Sequence, residues 1–420
     1  MASQESRQET LQFFIGRRNI SEEQQSGPNP RLYRTNYRAI STASFYGYLK
    51  NIDFNGYRFL LDLEGRVKWV LPLKATLWPG PENYLRRTLG NNWLLYESGA
   101  YAGVYELTSR YYFPVPFASL QTPWSDQTTH KNLEKIAVIL NEVSSIYKVA
   151  DSKQLMAQKS LLAKVLKGTI PVLPPDVIKV EYDVIPVFIS RGCLYNCSFC
   201  SVKTGGSFEM VSDTELNEQM KMLRFLIGKD IINYNSIFLG QNDALAAGIE
   251  RVVKAATHAF EFFNIGSSVM EGSNLFLFGS VGSFLEHGIA DILELEQLPY
   301  ENIYLNLGLE SFNQDSLEML GKPVKGLQVL QAFHQGLKIA ELSAKLNVSF
   351  NLVLGRTLPP QHIKDLENSL TTVSPTHGRC AIYISPLQYE SWRLGELART
   401  ILRLKALSRL DLYLYFIVPL

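Results

Sequence analysis

Cysteine is nearly missing from this chain, with four in 420 residues. That scarcity excludes a disulfide framework, which needs many paired cysteines in a small fold. An excess of one charge is missing too: 41 Lys and Arg stand against 40 Asp and Glu, a formal net charge of +1. No global basic field gathers nucleic acid or anionic lipid, so general nucleic-acid binding is not expected. No apolar run approaches the roughly 18 residues of a membrane helix, and the apolar stretch 413–420 reads as a buried strand, so no membrane partner is expected. The opening Met1-Ala-Ser-Gln-Glu-Ser-Arg-Gln-Glu-Thr10 lacks the apolar core of a signal peptide. A reducing, cytoplasmic setting is the expectation.

What is present is an ordinary soluble composition, 46% apolar and 19% charged, on a length that suits two domains. Residues 1–30 are polar and expected to be disordered or mobile. Residues 31–130 are rich in Tyr, Phe and Trp and broken by Gly and Pro, which predicts a small β-rich N-terminal domain. Within it Phe59-Leu-Leu-Asp-Leu63, Glu64-Gly65 and Arg66-Val-Lys-Trp-Val-Leu71 read as a hairpin, and Trp93-Leu-Leu-Tyr96 and Gly103-Val-Tyr-Glu-Leu107 as further strands. Residues 131–179 read as a helical linker. Leu133, Ile136, Val138, Ile139, Leu140 and Val143 recur at helical spacing, and a second helix runs from Gln154 to Leu166, with Gly168 placed to end it.

From about residue 180 to 420 short apolar runs alternate with amphipathic segments. Strands are predicted at 184–190, 235–240, 274–279, 302–308, 347–354 and 380–386, with a seventh at 411–418. Helices are predicted near 212–228, 244–263, 282–297, 313–346, 360–373 and 391–409. Alternation of this kind makes a parallel sheet with right-handed crossovers. The expected fold class is therefore α/β: a partial (β/α)6-type TIM barrel with a small β-rich N-terminal domain. Substrate is expected to enter between the barrel mouth and that domain.

Three of the four cysteines crowd into one stretch of eight residues, Cys193-Leu-Tyr-Asn-Cys197-Ser-Phe-Cys200. The stretch directly follows the first barrel strand, at the end where such folds place active residues. Thiolates are soft ligands for zinc or for iron and sulfur. A structural zinc site or a closed cluster asks for a fourth ligand. The remaining cysteine, Cys380, begins the sixth strand at the opposite end of the barrel, and reads as a small buried apolar residue. His258 and His287 lie far along the chain. An open [4Fe–4S] cluster is the favoured reading over zinc, a closed cluster or no metal.

Ser190-Arg-Gly-Cys193-x-x-x-Cys197-x-Phe199-Cys200 resembles the signature loop of the radical S-adenosylmethionine superfamily, over about residues 180 to 390. The resemblance implies that Cys193, Cys197 and Cys200 hold three irons of a [4Fe–4S] cluster and that the fourth iron binds S-adenosylmethionine. It implies reductive cleavage of that cofactor to a 5′-deoxyadenosyl radical, which abstracts hydrogen from substrate. The cofactor-binding positions it implies are Phe199, Gly240, Gln241, Asn242, Glu310, Ser311, Asn351 and Arg356. Gly240-Gln241-Asn242 stands where the family has a Gly-Gly-Glu-like segment. Asp243 is the nearby carboxylate, and capping the next helix is its equal alternative. Gly308-Leu-Glu310-Ser311, with Leu320-Gly321-Lys322 downstream, is similar to the branch of oxygen-independent coproporphyrinogen dehydrogenase, the elongator-type enzymes and cobalamin-binding members. There Glu310 and Ser311 would meet the methionyl amine or ribose, unless Ser311 and Asn313 only cap a helix. Asn351 matches an acidic residue lining the cofactor site. Arg356 suits the methionyl carboxylate, and Ile384-Ser-Pro386 would lie near adenine.

Departures narrow the reading. Ser201 replaces a further cysteine of the coproporphyrinogen enzyme. A second cysteine cluster and an Asp-x-His-x-x-Gly cobalamin segment are both missing. The implied partners are a small-molecule or peptide substrate and an electron donor such as flavodoxin or ferredoxin. No catalytic side chain is singled out. The alternative of another class is a non-catalytic carrier or chaperone that binds the cluster and S-adenosylmethionine without turnover.

Overall fold

A computed structural model describes residues 31–38, 44–54, 57–72, 100–105, 141–147, 149–170, 172–180, 182–195, 197–200, 206–373, 379–387 and 394–419. The expectations for residues 1–30, for Trp93-Leu-Leu-Tyr96, for 131–140 and for Ser201 lie outside the described residues.

The apolar runs become strands because both of their faces are covered, so no alternation is required of them. Seven of them form a parallel sheet: β6 (Ile185–Phe188), β9 (Ser236–Gly240), β10 (Asn274–Ser280), β11 (Asn302–Glu310), β12 (Leu346–Leu354), β13 (Cys380–Pro386) and β14 (Asp411–Pro419). An eighth strand, β5 (Ala100–Tyr105), joins antiparallel to β14, giving the order β5-β14-β13-β12-β11-β10-β9-β6. The sheet is a partial barrel with two edges. β5 comes from the segment that sequence assigns to the N-terminal domain, so that segment supplies one barrel edge. The other edge, β6, is shielded by a side chain. Gln219 on α2 (Asp213–Ile227) accepts from the Phe188 N–H at 2.7 Å and donates to its carbonyl at 3.3 Å, standing in for a strand.

Face parity is fixed on β12. Val348 and Phe350 close on Gly336 of α7 (Gly326–Leu342), where a Cβ would meet the Phe350 ring at 2.9 Å. Those residues face the outer helices, and Ser349 and Asn351 face the concave side. Aromatics fill much of that side: Phe276 stacks on Tyr304 at 4.8 Å and Tyr383 on Tyr413 at 5.4 Å. A 3-10 turn, Pro175–Lys179, enters from below. Its buried Asp176 accepts from Ser349 Oγ at 2.5 Å and from Tyr383 OH at 2.9 Å. The barrel floor is thus closed by the chain just before β6.

The predicted helix 313–346 is two helices, α6 (Gln314–Met319) and α7, because Gly321 at φ 64 and Pro323 break it. The predicted helix 282–297 divides likewise into α4 (Val281–Leu285), α5 (Ile289–Leu293) and a 3-10 turn. Further helices are α1 (Ser152–Leu166), α3 (Ile249–Phe263), α8 (Pro360–Thr371) and α9 (Leu394–Leu407), and residues 141–146 are helical as well. No helix of the described residues is long and apolar enough to cross a membrane.

An N-terminal antiparallel sheet, β1 (Arg31–Arg38), β2 (Ser44–Phe54), β3 (Tyr57–Leu61) and β4 (Val67–Pro72), contains the predicted hairpin as β3–β4. Its β3–β4 turn docks on the barrel. Arg66 is 1% exposed, and its guanidinium binds Asp62 at 2.5 Å and the helix-end carbonyls of Leu226 and Ile227 at 2.7 and 2.9 Å. Asp230 lies 4.0 Å from the same guanidinium and accepts from Tyr182 OH at 2.7 Å. The C-terminus of α2 lies at the end of the barrel where strands begin. This contact is therefore at the floor, while β5 of the same segment reaches the mouth end of the sheet, where Ala100 pairs with Pro419.

Candidate functional site

The cysteine loop leaves the barrel on a short stalk. Ser190–Arg191 (β7) pairs antiparallel with Glu209–Met210 (β8), and Cys193 bridges to Ser207 above them. Arg191, 9% exposed, pins the stalk: it donates to the Leu166 carbonyl at 2.9 Å and to Glu209 at 3.0 Å, and pairs with Glu215. Glu215 also meets Lys167 at 2.9 Å, and that hydrogen bond, with Arg191, holds its carboxyl below the ordinary range. Gly192 makes the turn from stalk to loop at φ 75, and a Cβ there would fall 2.2 Å from the Ser207 carbonyl oxygen. Only glycine fits.

Five successive strand tops then hold the loop. At the top of β9, Gln241 Oε1 accepts from the Gly192 N–H at 3.1 Å and Asn242 Nδ2 donates to the Gly192 carbonyl at 2.7 Å. At the top of β10, the Gly282 N–H donates to Tyr195 OH at 3.1 Å, and a Cβ on Gly282 would strike that oxygen. Above β11, the Ser198 N–H donates to the Leu320 carbonyl at 3.0 Å, beside Gly321. At the tops of β12 and β13, Phe199 packs on a small apolar group of Leu320, Val353 and Leu358, with Leu387 at its margin. Burying much of a phenylalanine ring there contributes about 2 kcal/mol. That is a physical use for an aromatic directly before the last cysteine.

Cys193 is exposed, Cys197 is 8% exposed and Cys200 is half-buried. Burial pushes the Cys197 thiol up, Lys322 opposes it, and Glu310 and the other two thiols add to it. Among the described residues no three His, Cys, Asp or Glu side chains converge on a point that could hold one metal ion. Cys380 is buried at the start of β13, opposite Val348, and burial pushes its thiol up to about 12.

Lys322 is a cation buried against the loop. Its Nζ donates to the Gly308 carbonyl at 2.7 Å and to Glu310 at 2.9 Å, and lies 5.8 Å from the Tyr195 ring centre. Burial alone would pull its ammonium down. The Glu310 charge and hydrogen bond, then Cys197 and Tyr195, leave it above its ordinary value. Glu310 itself stands at φ 65, a left-handed backbone that costs a non-glycine residue on the order of 1–2 kcal/mol.

The remaining predicted residues fall at strand tops in two groups. Glu310, Asn351 and Arg356 keep part of their surface open; Asn351 exchanges two amide hydrogen bonds with Asn306, at 2.6 and 3.1 Å, and Arg356 lies 3.8 Å from Glu396. Gln241, Ser311 and Asp243 are buried with partners inside the protein. Gln241 Nε2 donates to the Thr169 carbonyl at 2.6 Å. Ser311 Oγ meets His362 Nδ1 at 2.8 Å and accepts from the Asn313 N–H at 3.0 Å. Asn313 caps α6 by accepting from the Ser316 N–H at 3.0 Å. Asp243 accepts from the Ala246 and Ser280 N–H groups, both at 3.2 Å, and from Ser283 Oγ at 2.7 Å. Burial still raises its carboxyl. Gly240 sits over Phe238, where a Cβ would lie 2.5 Å from the ring, and Ser385 on β13 is paired with Val353 on β12. Sequence reasoning missed Tyr195, Gly282 and Gln219; no motif marks them, since each acts through contacts made only after folding.

No protein-family model matches the chain, and no curated protein matches it. Among solved structures it is similar to methylornithine synthase PylB at 16% identity, over 63% of this chain and 72% of that one, with a TM-score of 0.35. It is similar to the cobalamin-dependent S-adenosylmethionine radical enzyme OxsB at 15% identity, over 54% and 30%, with a TM-score of 0.34. The radical S-adenosylmethionine methyltransferase TsrM from Kitasatospora setae, solved with cobalamin and a [4Fe-4S] cluster, aligns at 10% identity over 48% and 36%, with a TM-score of 0.34. The matched part of this chain thus spans about a third of the OxsB and TsrM chains.

Proposed function

We propose that this chain is a radical S-adenosylmethionine enzyme. The observation that carries the reading is a three-thiol loop at the C-terminal end of the first parallel strand, tied down by five neighbouring strand tops. A scaffold this specific supports a ligand-holding role for the thiols, and three soft donors in one loop suit a [4Fe–4S] cluster. Cys193, Cys197 and Cys200 would each hold an iron. When bound, the cluster supplies the electron that cleaves S-adenosylmethionine to methionine and a 5′-deoxyadenosyl radical, which takes hydrogen from substrate.

The chain's own residues do the positioning. Lys322 offsets thiolate charge at buried Cys197 and holds Glu310 in place. Glu310, Asn351 and Arg356 would face S-adenosylmethionine: Glu310 toward its amine or ribose, Arg356 toward its carboxylate, with Asn351 lining the site. Gly240, Gln241, Asn242, Phe199 and Ser311 would bound the site by shaping the loop and strand tops. The closed floor below Asp176 keeps water out from that side. A small-molecule or peptide substrate and a reducing partner such as flavodoxin or ferredoxin, in a cytoplasmic setting, complete the reading.

Anaerobic reconstitution followed by reduction with S-adenosylmethionine tests it. The expected products are methionine and 5′-deoxyadenosine. An intact protein that forms neither overturns the proposal.

A further inference from the structure

Gly192 is where the cysteine loop leaves its stalk, and glycine is the residue least able to hold a conformation by itself. Its peptide is buried, so water does not supply partners for its N–H and carbonyl. Both come from the top of β9, as the Gln241 acceptor at 3.1 Å and the Asn242 donor at 2.7 Å. The clamp is itself rigid. The Gln241 N–H donates to the Ser190 carbonyl at 3.1 Å, its Nε2 donates to Thr169, and the residue is 4% exposed. A Cβ on Gly168 would lie 3.3 Å from that Nε2, so the neighbouring chain also confines the amide. Position 241 must accept from an N–H at one end and donate to a carbonyl at the other, which a neutral amide does and an ionised carboxylate does not.

We propose that Gln241 and Asn242 are positioning residues for Cys193: together they fix the left-handed Gly192 peptide and so the direction in which the first thiol leaves the strand. The proposal rests on the reading of the three cysteines as cluster ligands. It gives the second strand top a task in building the metal loop in place of a side-chain contact to the organic cofactor.

The test compares full-length wild type, Gln241→Ala and Asn242→Ala. Hydrogen–deuterium exchange of the Gly192 amide is measured without metal. The reconstituted proteins are followed by the rate at which a chelator removes iron and by the electron paramagnetic resonance spectrum of the reduced cluster. Circular dichroism checks the fold. Folded Gln241→Ala is expected to lose amide protection, release iron about tenfold faster and show shifted g-values, the tenfold being what one buried hydrogen bond changes. Asn242→Ala is expected to shift the spectrum and to release iron faster by a smaller factor. Folded variants with wild-type iron retention and an unshifted spectrum overturn the proposal. If Gln241→Ala does not fold, Asn242→Ala, at a half-exposed position, decides by the same two outcomes. Wild type separates the two failures. If it takes up no iron, the cluster reading falls and the proposal with it; if it takes up iron and the variants hold it equally, the proposal alone falls.

Discussion

Replacing Gly192 by alanine is the sharpest single perturbation of the loop. At φ 75 any L-residue is in the left-handed region, which costs about 1–2 kcal/mol. The added Cβ also falls 2.2 Å from the Ser207 carbonyl oxygen, a backbone atom that no rotamer change can move. Relieving that overlap means opening the Cys193–Ser207 bridge, at the roughly 1–3 kcal/mol typical of forced overpacking. The combined cost, about 2–5 kcal/mol, falls on the loop and not on the barrel core. Gly206 is the matched control. It lies in the same loop at φ 80, and a Cβ added there would have no heavy atom within 4 Å, so alanine meets only the backbone cost. After anaerobic reconstitution, Gly192→Ala should retain little iron while keeping its circular dichroism spectrum. Gly206→Ala should retain most of it. Equal iron in the two variants would refute the steric reasoning.

Other consequences are open to measurement. Arg66→Ala leaves Asp62 without its buried cation and the Leu226 and Ile227 carbonyls without a donor, so stability should fall by about 3–5 kcal/mol, and the melting temperature by on the order of 10 °C. An unchanged melting temperature would show that the N-terminal turn is not docked at the barrel floor. Lys322→Met should destabilise by about 1–3 kcal/mol, because Glu310, only partly open to solvent, loses its cation beside the thiols; adding Glu310→Gln should recover part of it in a denaturant double-mutant cycle, and strict additivity would argue against the pair. Burial, against a smaller contribution from the Val353 carbonyl, lowers the His362 pKa. Its folded pKa then lies below its unfolded one. Unfolding therefore takes up a proton in that window, and stability is full above about pH 6.5 and lost as pH falls through it. His362→Asn should flatten that slope in melts between about pH 5 and pH 8, and an unchanged slope would remove His362 as its source.

The barrel was legible because its strands are continuous apolar runs. β10 and β13, for example, are read within a residue of their observed ends, since burial on both faces leaves a local signal. β5 was readable as a strand but not as a barrel edge, because its partner β14 lies at the far end of the chain and nothing local names it. Gly321 and Pro323 were visible, yet the long periodic pattern around them outweighed the break. Arg66 shows the opposite limit. Nothing local marks a charged residue after a Glu-Gly turn as buried, and only the converging Asp62, Asp230 and helix-end carbonyls make its burial tolerable. At the site, the three cysteines were readable from spacing, whereas the direction of each amide was not. Composition shows that Gln241 and Asn242 can donate and accept; only the folded chain shows that both face Gly192.

The central claim is that Cys193, Cys197 and Cys200 hold one redox-active cluster to which S-adenosylmethionine binds. The most direct measurement is iron and sulfide content after anaerobic reconstitution, joined to the electron paramagnetic resonance spectrum of the reduced protein with and without S-adenosylmethionine. The account predicts about four irons and four sulfides per chain, a spectrum that changes when S-adenosylmethionine is added, and loss of the cluster in Cys197→Ala. A folded wild-type protein that binds no cluster, or one whose spectrum S-adenosylmethionine leaves untouched, would contradict it.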